Sequence, residues 1–429
     1  MKLYEHQIKA LEETAGRNRV AYYFDMGLGK TFIGSEKMRE LGAGVNLVIC
    51  QKSKVDDWTN HFNQYYTEYS AYDLTKKKHL EQFPYSKAKR VGIINYELAF
   101  RRPELLEQKD ITLMLDESSI IQNKSAKQTK FVMKLQAKNV ILLSGTPCSG
   151  KYENLWTQAH LLGWDITEKT FLTHYINYKK INTAVGIKKI VDQENPYRNQ
   201  ERLKTKLRTY GAVFTKTDEV FDLPEQNIVT AAVETSKDYK TFMTKDIVTV
   251  EGDDLIGTTQ LTKLLYAREL CGPYSAAKQD AFKDLLASTN DRLIVFYNFK
   301  KEAEKLTQII EEQQRPWSIV SGDKKDLEAY DKHEDSVTLV QYQSGSKGLN
   351  LQKANKIIYY TPTLSVENWM QSQKRIHRIG QNRPCFYYKL VCTGSVEEKI
   401  YEALERGVDY TDELFKEETK NGTRKELRK

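Results

Sequence analysis

The chain has 429 residues, with 66 Lys and Arg against 58 Asp and Glu, which gives a formal net charge of +8. This length corresponds to two or three domains of about 150 residues each, and a hydrophobic content of 40% excludes a wholly disordered protein. Five scattered cysteines without C-x-x-C spacing argue against a zinc knuckle, and no apolar run is long enough to cross a membrane. The charged first residues lack the apolar core of a signal peptide, so we expect a soluble, cytoplasmic protein.

Short apolar runs alternate with longer amphipathic segments over the first 150 residues. The runs end at Gly, Asn or charged residues, and we predict them to be strands at 20–24, 45–50, 91–95, 111–116 and 140–145. Near-continuous apolar strands that alternate with helical segments predict a parallel sheet covered on both faces. The first α/β lobe is therefore expected to span residues 1–150.

A second set of strands follows closer to the C-terminus. The predicted strands are 292–297, 317–320, 337–342, 356–360 and 386–392. They place a second α/β lobe at residues 286–404, followed by a C-terminal tail at 405–429. The intervening segment, 151–285, has a mostly helical pattern and is predicted to be an insert and linker.

The insert carries most of the excess positive charge. Residues 169–208 contain ten Lys and Arg against three acids, interleaved with tyrosines. One reading is a solvated helical face, and the other is an accessory contact to a nucleic-acid backbone. The candidate contact residues are Lys179, Lys180, Lys188 and Lys189.

The sequence DMGLGKT, residues 25–31, follows a predicted strand and precedes a helical segment. A strand, a glycine turn and a helix N-terminus form a phosphate cradle, because unpaired backbone N–H groups converge on the anion. Lys30 would contact the β- and γ-phosphates of ATP, and the Thr31 hydroxyl would bind Mg²⁺. Gly27, Leu28 and Gly29 complete the predicted ATP-binding loop, although an ordinary turn remains an alternative for this segment alone.

Two further segments end first-lobe strands with polar residues. In LMLDES, Asp116 would hold Mg²⁺ and Glu117 would orient and deprotonate the attacking water, whereas the alternative is that both acids cap the next helix. In LLSGTP, Ser144 and Thr146 could sense the γ-phosphate and couple its loss to movement, whereas the alternative is a plain cap. Ligands of doubly wound sheets bind at the carboxyl edge of the strands, which supports the functional readings.

The segment QSQKRIHRIGQ, residues 371–381, dominates the second lobe. On a continuous helix, Gln371, Lys374, Arg375 and Arg378 would share one face, and such a face suits a polyphosphate. Gln371, Arg375 and Arg378 are therefore candidate catalytic residues, the two arginines as arginine fingers. A solvated basic helix is the alternative.

A glycine-containing turn, SGSKGLNL, precedes that segment. It could contact backbone phosphates or the nucleotide. We assign Ser346 and Lys347 to nucleic-acid binding and Gly348 to ATP binding.

The order of these segments resembles that of the superfamily 2 helicases, and within them the Swi/Snf-like DNA-translocating ATPases. The resemblance covers nearly the whole chain and rests on LYEHQIKAL, DMGLGKT, LVICQKSKVDDW, INYELA, LDES, LSGTP, LPEQ, LLYARELCGP, IVFYNF, SGSKGLNL and KRIHRIGQ. It implies two RecA-like lobes, and it implies that Gln7 reads the adenine edge. The chain departs from the family at Ser118 and Ser119, where a small residue and a coupling His are usual.

From the residues and the resemblance we expect a DNA-dependent ATPase. It would be a monomer, use ATP and Mg²⁺ held between the two lobes, and translocate on or remodel double-stranded DNA. Partner proteins could supply targeting. The alternatives are a nucleotide-gated DNA-binding scaffold with weak hydrolysis and a helicase acting on RNA or single strands.

Overall fold

The computed structural model describes residues 2–85, 88–148, 151–183, 186–192, 195–345 and 349–407. The chain divides into two compact units, Met1–Phe221 and Asp222–Lys429. This boundary falls inside the segment that the sequence predicts to be an insert, so the residues of that segment are distributed over both units.

The strands of the first unit are short and mostly apolar. They are β1 Arg19–Phe24, β2 Val45–Cys50, β3 Ser70–Asp73, β4 Arg90–Asn95, β5 Lys109–Asp116, β6 Gln136–Ser144, β7 Tyr178–Thr183, β8 Gly186–Val191 and β9 Ala212–Thr215. The helices between them are α1 Glu5–Glu13, α2 Lys30–Leu41, α3 Val55–Tyr65, α4 Lys77–Gln82, α5 Tyr96–Ala99, α6 Lys127–Val132, α7 Trp156–Leu161, α8 Glu168–Tyr175 and α9 Gln200–Thr209.

Seven of these strands form one parallel sheet in the order β3-β4-β2-β5-β6-β1-β9. All five predicted first-lobe strands are in it, so the predicted parallel sheet is confirmed. β1 and β2 are buried except at their first residues, and β6 is buried over its last six residues, as expected for strands of a sheet covered on both faces. The order places β5, β6 and β1 side by side, so the segments that follow them meet at one edge.

The strands of the second unit form a similar sheet. They are β10 Gln226–Val233, β11 Ile247–Val250, β12 Asp253–Ile256, β13 Leu293–Tyr297, β14 Trp317–Val320, β15 Lys325–Asp326, β16 Val337–Gln341, β17 Lys356–Tyr359 and β18 Cys385–Cys392. The helices are α10 Lys237–Lys245, α11 Gln260–Cys271, α12 Ala276–Ala287, α13 Lys300–Glu312, α14 Glu328–Lys332, α15 Tyr342–Gly345, α16 Val366–Gln373 and α17 Val396–Glu405.

The order of this second sheet is β10-β18-β17-β13-β16-β14-β15, and only the short edge strand β15 pairs antiparallel. The five strands predicted for the second lobe all belong to it. Two doubly wound α/β sheets are therefore present, as predicted.

The residues predicted to form a mostly helical insert also contain β structure. β7 and β8 pair as an antiparallel hairpin in the first unit, and β11 and β12 pair in the same way in the second. β9 joins the edge of the first sheet and β10 the edge of the second. The helical prediction for this segment is therefore wrong for these strands.

None of the helices in the described ranges combines the length and the apolar content that crossing a membrane requires.

Candidate active site

The loop between β1 and α2 has the backbone that a phosphate cradle needs. Gly27 and Gly29 have φ values of +90° and +73°. Only glycine adopts such values without steric cost. α2 begins at Lys30, directly after Gly29. The first N–H groups of a helix have no partner within it, so this position is suited to an anion.

The side chain of Gln7, on α1, forms hydrogen bonds to the backbone of this loop. Its Nε2 donates to the carbonyl oxygens of Gly29 at 3.0 Å and Leu28 at 3.3 Å, and its Oε1 accepts from the backbone N–H of Tyr4. A Cβ at Gly29 would lie 2.2 Å from the Gln7 Nε2, so the contact requires glycine there. The amide that the resemblance assigns to adenine is thus bonded to the loop.

Lys30 lies at the centre of the site. Its Nζ donates to the carbonyl oxygens of Phe24 at 2.9 Å and Asp25 at 3.3 Å, at the end of β1. A Cβ built on Gly145, in the predicted coupling segment, would lie 3.4 Å from the same ammonium. The loop lysine and the segment after β6 are therefore neighbours.

Asp116 ends β5 and is oriented by two aromatic side chains. Trp58 of α3 is buried, and its Nε1 donates to the Asp116 Oδ2 at 2.9 Å. Tyr96 donates from its hydroxyl to the Asp116 carbonyl oxygen at 3.0 Å. Burial raises the pKa of Tyr96 well above its usual value, so this hydroxyl remains a donor.

Glu117 has a left-handed backbone conformation, with φ at +53°. A non-glycine residue pays about 1–3 kcal/mol for such a conformation, and residues of this kind cluster at functional sites. Its Oε2 accepts from the Ser144 Oγ at 3.4 Å, and this Oγ also accepts from the Thr146 N–H at 3.2 Å. The predicted general base and the predicted coupling residues are thus in contact.

Two side chains of this edge offer oxygen atoms of the chemical type that would hold a magnesium ion. The Thr31 hydroxyl stands on the first turn of α2 and the Asp116 carboxylate at the end of β5. Mg²⁺ prefers hard oxygen ligands such as these, usually with several waters retained. Ammonium, carboxylates and helix N-terminus together make a site that could bind a polyphosphate and activate water against it.

The prediction that Gln371, Lys374, Arg375 and Arg378 share one face of a continuous helix is wrong. α16 ends at Gln373 with Lys374 as its C-cap, so Arg375 and Arg378 lie in the turns that follow it. Arg375 is 1% exposed, and its carbonyl oxygen accepts from the Leu351 N–H. This contact holds the chain against residues 349–351 instead of continuing the helix.

The candidate residues of this segment contact their own unit. The Arg375 Nη1 donates to the Leu349 carbonyl oxygen at 3.4 Å, and the Arg378 Nη1 donates to the Asn350 Oδ1 at 2.6 Å. Burial lowers the pKa of Arg378 from its usual value. The Gln371 Nε2, still on α16, donates to Glu367 at 2.9 Å. Ser346, Lys347 and Gly348 fall outside the described residues.

The four lysines assigned to nucleic acid lie on the β7–β8 hairpin. The register places Lys180 directly opposite Lys189, and both are exposed. Like charges directly opposite in a sheet repel each other. Lys179 forms an ion pair with Asp192 at 3.1 Å, and Lys188 lies opposite Ile181 in the ladder.

Two site residues were not singled out from the sequence. Trp58 ends a segment that carries the resemblance, but its bond to Asp116 depends on how α3 packs. Gln158 of α7 is 0% exposed and donates from its Nε2 to the Pro147 carbonyl oxygen at 2.5 Å. The surrounding sequence NLWTQAHLL mixes polar and apolar residues, so nothing in it distinguishes Gln158 from its polar neighbours.

Two family models match the chain. The SNF2-related domain matches residues 23–274, and the helicase conserved C-terminal domain matches residues 277–380.

Two curated relatives and one solved structure are similar to this chain. The yeast ISWI chromatin-remodeling complex ATPase ISW1 is 24% identical over 88% of this chain and 37% of its own length. The putative ATP-dependent helicase/translocase YwqA of Bacillus subtilis is 24% identical over 92% of this chain and 46% of its own length. The chain thus spans less than half the length of these two relatives. The Sulfolobus solfataricus SWI2/SNF2 ATPase core in complex with dsDNA is 20% identical, with 94% of this chain and 91% of that chain covered and a TM-score of 0.45.

Because the first family model covers more than half of the chain and the second follows it directly, the chain belongs to the SNF2-related family of helicase-type ATPases.

Proposed function

We propose that this chain hydrolyses ATP and uses the energy to translocate on, or remodel, double-stranded DNA. The observation that carries the proposal is the meeting of three segments at one sheet edge. Lys30 lies beside Gly145, and the Ser144 hydroxyl lies 3.4 Å from the Glu117 carboxylate. Membership of the SNF2-related family supports the choice of ATP and of a motor function.

Each group in the first unit has a separate task in this proposal. The loop N–H groups and Lys30 bind the phosphates, Gln7 reads the adenine edge while it holds the loop, and Glu117 orients the attacking water and takes its proton. Thr31 and Asp116 would hold Mg²⁺, which supplies charge neutralisation on the phosphates when bound. Ser144 and Thr146 respond to loss of the γ-phosphate.

Arg375 and Arg378, with Gln371, are proposed to act on the same nucleotide. A guanidinium group is suited to the charge that develops in phosphoryl transfer, and such a group is worth about 10³–10⁵ in rate. Gly348 is proposed to contribute to the nucleotide site as well.

Duplex DNA is the proposed partner, bound through its phosphates and therefore independently of sequence. The exposed pair Lys180 and Lys189 supports this choice, because an anion between them would relieve their repulsion. Lys179, Lys188, Ser346 and Lys347 complete the proposed contact residues. We also propose that the protein acts as a monomer in the cytoplasm. Partner proteins would direct it to its targets.

Phosphate release, measured with duplex DNA, single-stranded DNA and RNA, tests the activity. We expect duplex DNA to stimulate turnover most, and Lys30→Ala and Glu117→Gln to abolish the stimulated rate. Lys134→Ala and Glu104→Gln are matched controls, because both residues are exposed and stand outside the site. Unchanged turnover in both site variants would overturn the proposal.

The same assay separates the alternatives. ATP-dependent DNA affinity with negligible turnover would indicate a scaffold, and preferential stimulation by RNA or single strands would indicate a helicase of that class. A triplex-displacement assay run beside a strand-displacement assay then distinguishes translocation from unwinding.

Salt dependence tests the role of the hairpin in DNA binding. The double variant Lys180→Gln, Lys189→Gln should reduce the slope of log affinity against log salt by about 1 for each lysine that pairs with a phosphate. Lys77→Gln, Lys78→Gln removes the same charge from an exposed helix elsewhere in the first unit and should leave the slope unchanged. Equal slopes in both double variants would exclude the hairpin from the DNA-binding surface.

A further inference from the structure

The side chain of Gln158 joins three segments of the first unit. Its Oε1 accepts from the Ser118 hydroxyl at 2.8 Å and from the Tyr23 hydroxyl at 3.1 Å, and its Nε2 donates to the Pro147 carbonyl oxygen at 2.5 Å. Ser118 and Gln158 are 0% exposed and Tyr23 is 4% exposed. The three bonds are thus made away from water, where an unmade hydrogen bond costs most.

These partners flank the proposed catalytic groups. Tyr23 belongs to β1, which leads into the phosphate loop, and Ser118 follows Glu117 directly. Pro147 lies three residues after Ser144, the last residue of β6, and we call the segment between them the turn after β6. A single amide group therefore contacts all three segments that meet at the carboxyl edge of the sheet.

The chemistry of the partners fixes the orientation of the amide. The Pro147 carbonyl oxygen can only accept, so it must face the Nε2 of Gln158, and the Oε1 must face the two hydroxyl groups. Burial raises the pKa of Tyr23, which keeps its hydroxyl protonated and able to donate. A residue that only fills space at position 158 would satisfy none of these groups.

The turn after β6 is consequently tied to the acidic pair at both of its ends. At one end, Ser144 donates to Glu117 at 3.4 Å; at the other, Pro147 accepts from Gln158, which accepts from Ser118. Because Glu117 and Ser118 are adjacent in the chain, these bonds close a ring. A shift of the turn must therefore either move Glu117 or break one of the bonds.

We propose that Gln158 is a positioning residue, which holds the Glu117 carboxylate and the turn Ser144–Pro147 in one arrangement and so couples water activation to movement of the turn. This inference rests on the proposed ATPase function. It also gives Ser118 a role in a chain that lacks the usual coupling histidine at position 119.

The inference predicts a change in kcat without a change in nucleotide affinity. Gln158→Met has a similar length and makes none of the three bonds, and misplacement of a catalytic group by about 1 Å can cost about 10²-fold in rate. We expect kcat to fall about 10- to 100-fold, while the KM for ATP and the Kd of a fluorescent ATP analogue change less than about twofold, because the three hydrogen bonds of Gln158 go to residues outside the phosphate loop.

Ser118→Ala removes a single bond of the ring and is the second variant, in case Gln158→Met fails to fold. If both substitutions act through the same bond, the double variant should be no slower than Gln158→Met alone, as non-additivity requires. Additive losses of kcat would contradict a shared link.

Thr157→Val is the matched control. Thr157 neighbours Gln158 on α7, is also buried, and donates to the Ile121 carbonyl oxygen at 2.8 Å. Its substitution should lower thermal stability to a similar degree and leave kcat unchanged. Equal kcat in Gln158→Met and wild type, or an equal loss in Thr157→Val, would overturn the inference.

ATP hydrolysis by the wild type and by Glu117→Gln is measured in the same series, so that a failure of the proposed function can be distinguished from a failure of the role of Gln158. Absence of ATP hydrolysis by the wild type would refute the proposed function itself. An active wild type, with Gln158→Met equally active, would refute only the role of Gln158.

Discussion

The candidate site residues of the two units differ in their hydrogen-bond partners. In the first unit the candidate catalytic groups contact one another, as Ser144 does Glu117. In the second unit the candidate arginines contact their own neighbouring loop, Arg375 at the Leu349 carbonyl and Arg378 at the Asn350 side chain. The difference indicates that the candidate catalytic groups of the first unit are already in contact with one another, whereas the two candidate arginines of the second unit form hydrogen bonds to residues 349 and 350.

The largest expected effect separates the two arginines. Arg378→Ala should lower the DNA-stimulated kcat by about 10³-fold or more, because it removes the proposed arginine finger. The loss of stability should be small, because Arg378 is only half-buried. Arg375→Ala should in addition destabilise the protein by about 2–5 kcal/mol, because it leaves a cavity and removes a buried hydrogen bond. Phosphate release and urea unfolding measure the two effects.

Arg378→Lys sharpens this test, because it keeps the charge and loses the planar fork. If Arg378→Ala loses stability and retains its turnover, both arginines hold the loop and the arginine-finger assignment fails.

The second unit also buries a complete ion pair. The Lys278 Nζ lies 2.7 and 2.6 Å from the two carboxylate oxygens of Glu397, and both side chains are 0% exposed. Lys278→Met would leave the carboxylate without its partner, at a cost of about 3–5 kcal/mol in the free energy of unfolding. Chemical denaturation measures this loss.

The control for that substitution is Lys283→Met, which removes an exposed pair with Glu312 at 3.7 Å. Its expected cost is about 0–1 kcal/mol. Comparable losses in the two variants would show that the buried pair contributes no more than an exposed one.

A smaller effect depends on pH. Burial raises the pKa of Glu302 to about 7, although hydrogen bonds from the backbone N–H groups of Asn298 and Phe299 and from the Thr361 hydroxyl oppose the rise. Between the usual pKa of about 4.5 and about 7 the folded state holds a proton that the unfolded state has lost. Stability therefore falls as pH rises through this range, by about 3 kcal/mol in all.

Glu302→Gln should remove this dependence, so its advantage over the wild type should appear at pH 8 and disappear at pH 5. Glu304→Gln, an exposed acid on the same helix, controls for the change in charge. Urea unfolding at both pH values measures the effect, and parallel curves for wild type and Glu302→Gln would contradict it.

The central strands could be predicted from sequence because each is an apolar run that the sheet buries on both faces. The edge strands β3, β9 and β10 could not be predicted in this way, because they are short or largely exposed and lack a continuous apolar run. The hairpin β7–β8 is hard to predict because its lysines also suit a charged helical face, although Ile187, Ile190 and Val191 favour strands.

The first-unit site was predictable because its residues follow strands directly, and chain order alone places them at one edge. The end of α16 was not, because the Leu351–Arg375 backbone bond is a tertiary contact that overrides helical periodicity. The role of Gln158 also depends on tertiary packing, since its partners lie 11, 40 and 135 residues away.

The contact between Gln7 and the phosphate loop has a consequence for the direction of the loop amides. In a planar trans peptide the C=O and the following N–H point in opposite directions. Because Gln7 holds the Leu28 and Gly29 carbonyls toward α1, the N–H groups of Gly29 and Lys30 are turned away from that helix. One glutamine thereby sets the polarity of the cradle before any nucleotide arrives.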